Sequence, residues 1–184
     1  MKIKIVSILL ILGFLQIPFV SNSQDVKPGK QERKALKEAQ DNINFSILDS
    51  LLISRRFVLE ADYLQNKIGD KISVSSTLNF VKVDGERGIL QTGSDLLKGS
   101  NGSGGVTTEG SISKYKVHKN NKSLTHRVTF NLVSNLGVFN IDMNVTSSNS
   151  ATATITSTGS GRLTWRGQLM AADHSRVFKG METW

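Results

Sequence analysis

Apolar residues recur along this chain with two different periods, and the period changes at Arg56. Leu36, Ala39, Ile43, Ile47 and Leu51 follow one another at spacings of three and four, the repeat of one helical face. Glu32, Lys34, Asn42 and Asp49 fall off that stripe, while Leu48 and Leu52 widen it in its second half. The pattern predicts one amphipathic helix over Lys30–Ser54, with its C-terminal end the more deeply buried. Arg55 and Arg56 then stand where positive charge complements the helix dipole.

Beyond Arg56 the period is two. Phe57, Leu59, Ala61 and Tyr63 alternate with mostly polar neighbours, and Ile72 and Val74 alternate with Ser73 and Ser75. The phase breaks at Leu78, Phe80, Val81 and Val83, which predicts a bulge or bend near Phe80. Asp84-Gly85 marks a hairpin, and residues 93–105, with five Gly and three Ser, read as one long loop. Clean alternation returns around Tyr115 and Val117, then Val128 and Phe130, Ile141 and Met143, Ala151 and Ala153, and finally Leu163 and Trp165. The turns between these runs are short and polar, so neighbouring strands must be antiparallel.

One apolar sheet face needs cover, and one helix is available to supply it. The expected fold is α+β: an N-terminal amphipathic helix packed on a curved, mostly antiparallel sheet of seven to nine strands. That sheet would form a half-barrel or incompletely closed barrel around the helix. A fully closed barrel with the helix plugging one mouth is the alternative.

The first 23 residues set the expected address. Lys2 and Lys4 precede an apolar run over residues 5–15, and Val20-Ser21-Asn22-Ser23 offers small residues for cleavage. This is the order of a secretory signal peptide, and the run is shorter than the roughly 20 residues a spanning helix needs. The expected organisation is a signal peptide at 1–23, a polar leader at 24–29 and a single globular domain at 30–184. The product would be periplasmic or extracellular and not membrane-spanning. With no Cys in the chain there is no acyl-anchoring Cys, thiolate metal site or Cys nucleophile. Without Lys2 and Lys4 the chain has 21 basic and 15 acidic residues, a net of +6. That charge favours anionic surfaces such as lipid or acidic polysaccharide. Two Trp and two Tyr supply too few aromatic platforms for a nucleic-acid partner.

Candidate chemistry is sparse. The glycine-rich stretch lacks the Lys-Ser/Thr of a phosphate-binding loop, and no helix follows it. No two histidines have metal-site spacing, and no cofactor is expected. His118 falls on the solvent face with Lys114 and Lys116, and His174 lies in the tail beside Asp173. His126 falls in the inward phase, as a hydrogen-bonded core histidine or a polar anchor facing a cavity. Glu60 and Asp62 share one side of a strand, as solvated carboxylates commonly do. Thr152, Thr154 and Thr156 form a hydroxyl row, read as a β-branched solvent face or a template for an ordered surface such as sugar. Lys114, Lys116, Lys119, Lys122 and Arg127 make one hairpin basic, either as a protected sheet edge or as a patch for anionic lipid or polysaccharide. A membrane-spanning barrel is disfavoured because the chain has no paired aromatic girdles.

Four segments together resemble exported bacterial proteins grouped as domain-of-unknown-function family 4251. They are residues 32–62 (ERKALKEAQDNINFSILDSLLISRRFVLEAD), 76–91 (STLNFVKVDGERGILQ), 101–110 (NGSGGVTTEG) and 175–180 (SRVFKG). The resemblance implies a single-domain envelope protein of bacteria with two membranes. It carries no assigned activity and no catalytic residues.

These readings converge on an exported cell-envelope protein acting as a non-catalytic binding or interaction module. Its partner would be an envelope protein, lipid or polysaccharide. The alternative is a carrier or sensor holding an apolar ligand between helix and sheet. Tyr115, His126 and Trp165 are then the expected lining, since each has an inward phase, an apolar body and a polar tip. A hydrolase is the second alternative, and would need His126 to meet a carboxylate and a Ser or Thr in space.

Overall fold

The computed structural model describes residues 29–94, 105–158 and 161–183. The expected signal peptide, most of the expected leader and the centre of the glycine-rich stretch lie outside the described residues. A 25-residue helix, α1 (Lys30–Ser54), comes first among the described elements. It ends at Arg55, whose left-handed backbone (φ 54°) lets its N–H reach the Leu52 carbonyl. Nine strands follow: β1 (Arg56–Gln65), β2 (Lys71–Ser73), β3 (Phe80–Asp84), β4 (Arg87–Gln91), β5 (Thr107–Asn120), β6 (Thr125–Ser134), β7 (Gly137–Thr146), β8 (Ser150–Ser157) and β9 (Arg162–Ala171).

The sheet closes, which corrects the expected half-open barrel. β3 to β9 pair in sequence order, and β1 is hydrogen-bonded to β3 on one side and β9 on the other. The result is an antiparallel eight-stranded barrel, with the three residues of β2 extending the sheet along the far half of β1. Closure runs from Phe57 opposite Ala171 to Gln65 opposite Thr164, with a register shift between Ala61 and Tyr63. Gly167 stands at that shift. A Cβ there would lie 1.8 Å from the Glu60 carbonyl oxygen, so only glycine admits this approach of the two backbones. At one end of the barrel, Gly85 (φ 64°) turns β3 into β4, and its N–H donates to the Arg55 carbonyl at 2.8 Å.

The helix enters one mouth of the barrel instead of lying along a sheet. Phe45, Leu48 and Leu52 are its buried residues, and it touches β1, β5 and β6. Leu36, Ile43 and Ile47, the stripe expected to face the core, are 59%, 54% and 63% exposed. The reason is geometric. A helix lying along a sheet buries a stripe along its whole length, whereas a plug buries the side chains that fit the opening. Residues 30–40 are exposed throughout.

The phase break at Phe80 has a different cause from the expected bulge. β3 pairs with β1 and β4 in continuous register. Val81 and Val83 belong to the interior cluster, whereas Phe80 and Val58 are fully buried outside it. The C-terminal segment runs over this outer face. Ser175 Oγ donates to Glu60 at 2.6 Å, the Phe178 N–H donates to the Thr77 carbonyl, and the buried Gln91 amide is held by Phe178 and Gly180. Phe80 therefore faces outward and is covered.

Gly167→Ala should lower stability by about 1–3 kcal/mol, the usual scale of overpacking. The measurement is chemical denaturation followed by circular dichroism, with Gly69→Ala, at an open turn outside the barrel seam, as a reference for ordinary glycine strain.

Candidate functional site

The two ends of the barrel differ in chemistry. The β3–β4, β5–β6 and β7–β8 turns share one end of the barrel with the Arg55–Arg56 junction, and there α1 packs against β1, β5 and β6. His126 is fully buried on β6, and its Nε2–H donates to Asp49 Oδ1 at 2.9 Å. Lys119 Nζ donates to the other oxygen of Asp49, also at 2.9 Å. The Phe45 ring packs on the His126 ring with centroids 4.4 Å apart, and the Lys119 ammonium stands 4.9 Å from the Phe45 centroid. Tyr115 Oη donates to the Leu52 carbonyl at 2.8 Å, a second donor to the oxygen that the Arg55 N–H also reaches. The Arg55 guanidinium lies 4.6 Å from the Tyr115 ring centroid. Burial raises the Tyr115 phenol well above its ordinary value, so it remains a neutral donor.

These contacts make Tyr115 and His126 fastenings for the helix. His126 does meet a carboxylate, as a hydrolase would need. Its Nδ1, however, is buried with no hydrogen-bond partner among the described residues, so no Ser or Thr hydroxyl completes a triad. The sequence could have flagged Asp49, which sits one residue after Leu48 on the turn of helix that enters the mouth. Its distance from the predicted stripe made it look solvated.

Trp165 lies toward the other end. It is 1% exposed, and pairs with Leu64 on β1 and Ala153 on β8. Here a cavity of about 310 Å³ opens, walled mainly by Leu90, Val106, Phe139, Ile155, Leu163 and Trp165, with Thr92 and Ser157 as its polar side chains. Three of these wall residues, Leu90, Ile155 and Trp165, belong to the buried interior cluster. Trp165 Nε1 is buried and has no acceptor among the described residues. An unpaired buried N–H costs about 1–3 kcal/mol, so this apolar wall contains one unsatisfied donor. Of the three residues expected to line a cavity, Trp165 alone does so, and Tyr115 and His126 stand at the plugged end.

Outside the barrel the expected basic hairpin is divided between roles. Lys119 is held by Asp49, and Arg127 forms two hydrogen bonds to Asp142, its Nε–H donating at 2.9 Å. These strands lie inside the closed barrel wall, so no sheet edge exists there to protect. Among the described residues no helix is long and apolar enough to cross a membrane.

Lys119 and then His126 hold the Asp49 carboxyl below its ordinary value, against a partial opposing effect of burial. A carboxylate lowered on folding stabilises the fold above its unfolded value of about 3.8, and that contribution is lost as pH falls further through the folded value. Asp49→Ala leaves His126 buried with neither ring nitrogen paired, and should cost about 1–3 kcal/mol at neutral pH. Urea titrations from pH 7 to pH 2.5 should show the gap to the parent protein closing below about pH 3.8.

Comparison with known proteins agrees with this architecture. The family model described as "Domain of unknown function (DUF4251)" matches residues 39–169. Among solved structures, the chain is similar to a DUF4251 family protein from Bacteroides eggerthii DSM 20697, whose crystal structure was determined at 1.95 Å resolution. The identity is 30% and the TM-score 0.63, over 76% of this chain and 95% of that one. No curated protein matches the chain. By its sequence match and its fold, this chain belongs to the DUF4251 family.

Proposed function

We propose that this protein is a non-catalytic binding protein of the cell envelope, holding a small, largely apolar ligand in the barrel mouth opposite the helix. One observation carries the reading: an apolar cavity of about 310 Å³, walled by Leu90, Phe139, Ile155, Leu163 and Trp165, at the end of the barrel that the helix does not enter. Small-molecule sites generally combine an apolar wall with few polar groups that fix orientation. The ligand class that fits is a small molecule with a largely apolar body, since Thr92 and Ser157 carry the only hydroxyls among the lining residues. The residues that line the cavity carry no titratable side chain, which favours retention over reaction.

The envelope address rests on the amino-terminal charge and hydropathy pattern, and amino-terminal sequencing of the exported protein tests it. A start near Gln24 is the expected result.

Native mass spectrometry of protein purified from the envelope fraction without detergent tests the binding reading. A bound small-molecule mass that disappears on denaturation is expected. Leu163→Gln places a polar group in the apolar wall at a partly exposed side chain. It should reduce the bound fraction by roughly 3- to 10-fold, the scale of losing one partly buried apolar side chain, with little change in Tm. A clean apo mass in the parent protein would sink the proposal.

A further inference from the structure

A second surface lies on the outside of the barrel, on strands that the mouth does not use. From β5 to β9 the outward residues form rows across the strands. The middle row runs Lys116, Thr129, Asp142, Thr154 and Thr164, each directly opposite the next. A neighbouring row contains Asn131, Asn140 and Thr156 and ends at Arg162. The row on the other side ends at Arg166, opposite Thr152. A trough of about 530 Å³ follows these rows, with Lys114 and Lys116 on one bank and Arg162 on the other.

The charge on this surface is unbalanced. Asp142, the acid in the trough wall, is taken by Arg127. Lys114, Lys116, Arg162 and Arg166 form no ion pair among the described residues. The placement of Lys114 is itself unusual. The register between β5 and β6 shifts between Ser113 and Lys116, inserting one extra residue, and Lys114 adopts φ 53° there. A left-handed backbone is costly for a residue with a Cβ. The bulge turns Lys114 outward beside Lys116 while Tyr115 keeps its inward hydrogen bond to the helix. Bulges commonly re-aim a side chain at a functional surface.

We propose that this trough binds an acidic oligosaccharide. Its floor supplies hydroxyls and amides (Thr129, Asn131, Asn140, Thr154 and Thr156) matched to sugar hydroxyls. Its banks supply cations, Lys114 and Lys116 on β5 and Arg162 on β9, for carboxylates along the sugar chain. A bilayer partner fits less well, because these rows present no apolar side chain to insert between lipids. A single-stranded nucleic acid would require aromatic platforms that the rows do not contain. This site is separate from the barrel mouth, and its test is independent of the ligand held there.

The test is calorimetric titration of the mature chain with oligogalacturonate at low salt, with a neutral cello-oligosaccharide as control. Oligogalacturonate should bind, more weakly as ionic strength rises, and the neutral sugar should bind far more weakly. Lys116→Gln combined with Arg162→Gln should weaken binding at least about tenfold, with the Tm retained, since both side chains are exposed. Asn140→Leu leaves every charge in place and should weaken binding about three- to tenfold through a lost floor contact. Unchanged binding by Asn140→Leu would reduce the surface to general attraction for polyanions and overturn the proposal. Failure of the parent protein to bind oligogalacturonate would do so as well, including the case where it sediments with phosphatidylglycerol vesicles.

Discussion

The pairing of β1 with β9 is the constraint on which the rest of this structure depends. Without it the sheet would have two long edges, and its apolar face would be open along one side. Closure turns that face into an enclosed interior. It requires β1 to shift register at Asp62 and β9 to present Gly167 where the backbones nearly touch. β1 carries a second demand, because the C-terminal segment covers its outer face near Val58 and Phe80. The strand is therefore buried on both sides, which is why it reads Phe57-Val58-Leu59 without alternation.

A closed barrel leaves two openings, and this chain treats them differently. At one, α1 inserts Leu48 and Leu52 into the interior and satisfies the polar groups it brings: Asp49 is held by His126 and Lys119, and the Leu52 carbonyl by Tyr115. At the other, Trp165 is buried beside an apolar cavity, and its Nε1–H has no acceptor among the described residues. At the plugged end a buried histidine and a half-buried tyrosine hold the helix.

Much of this was legible in the sequence, because local rules and the global fold agree. The helix spans Lys30–Ser54 as its pattern predicts, and Val128, Phe130, Ile141, Met143, Ala151 and Ala153 all face inward as alternation requires. Closure was not legible: pairing between β1 and β9 is the longest-range contact in the sheet, and its requirement at Gly167 is a statement about another strand's backbone. The helix stripe misled for a related reason. Leu36, Ile43 and Ile47 have helical spacing, but spacing identifies a face without saying what that face meets. Phe80 is similar, since its cover comes from a segment about a hundred residues later.

The inversion of this barrel relative to a membrane-spanning one bears on how it can work. A spanning barrel turns apolar side chains toward lipid and polar ones inward. Here the interior is apolar, while the outward rows of β5 to β9 are threonine, asparagine, lysine and arginine. Such a wall can face water on one side and hold an apolar core on the other because β6, β7 and β8 alternate strictly and β5 resumes alternation after its bulge at Lys114. Where alternation fails, at β1, β3 and β4, the C-terminal segment supplies a second layer, anchored through Gln91, Glu60 and the Lys179–Glu109 pair. Among the described residues the barrel is thus two-layered on one side and single-layered on the other, and the single-layered side presents its polar wall outward, apart from the interior.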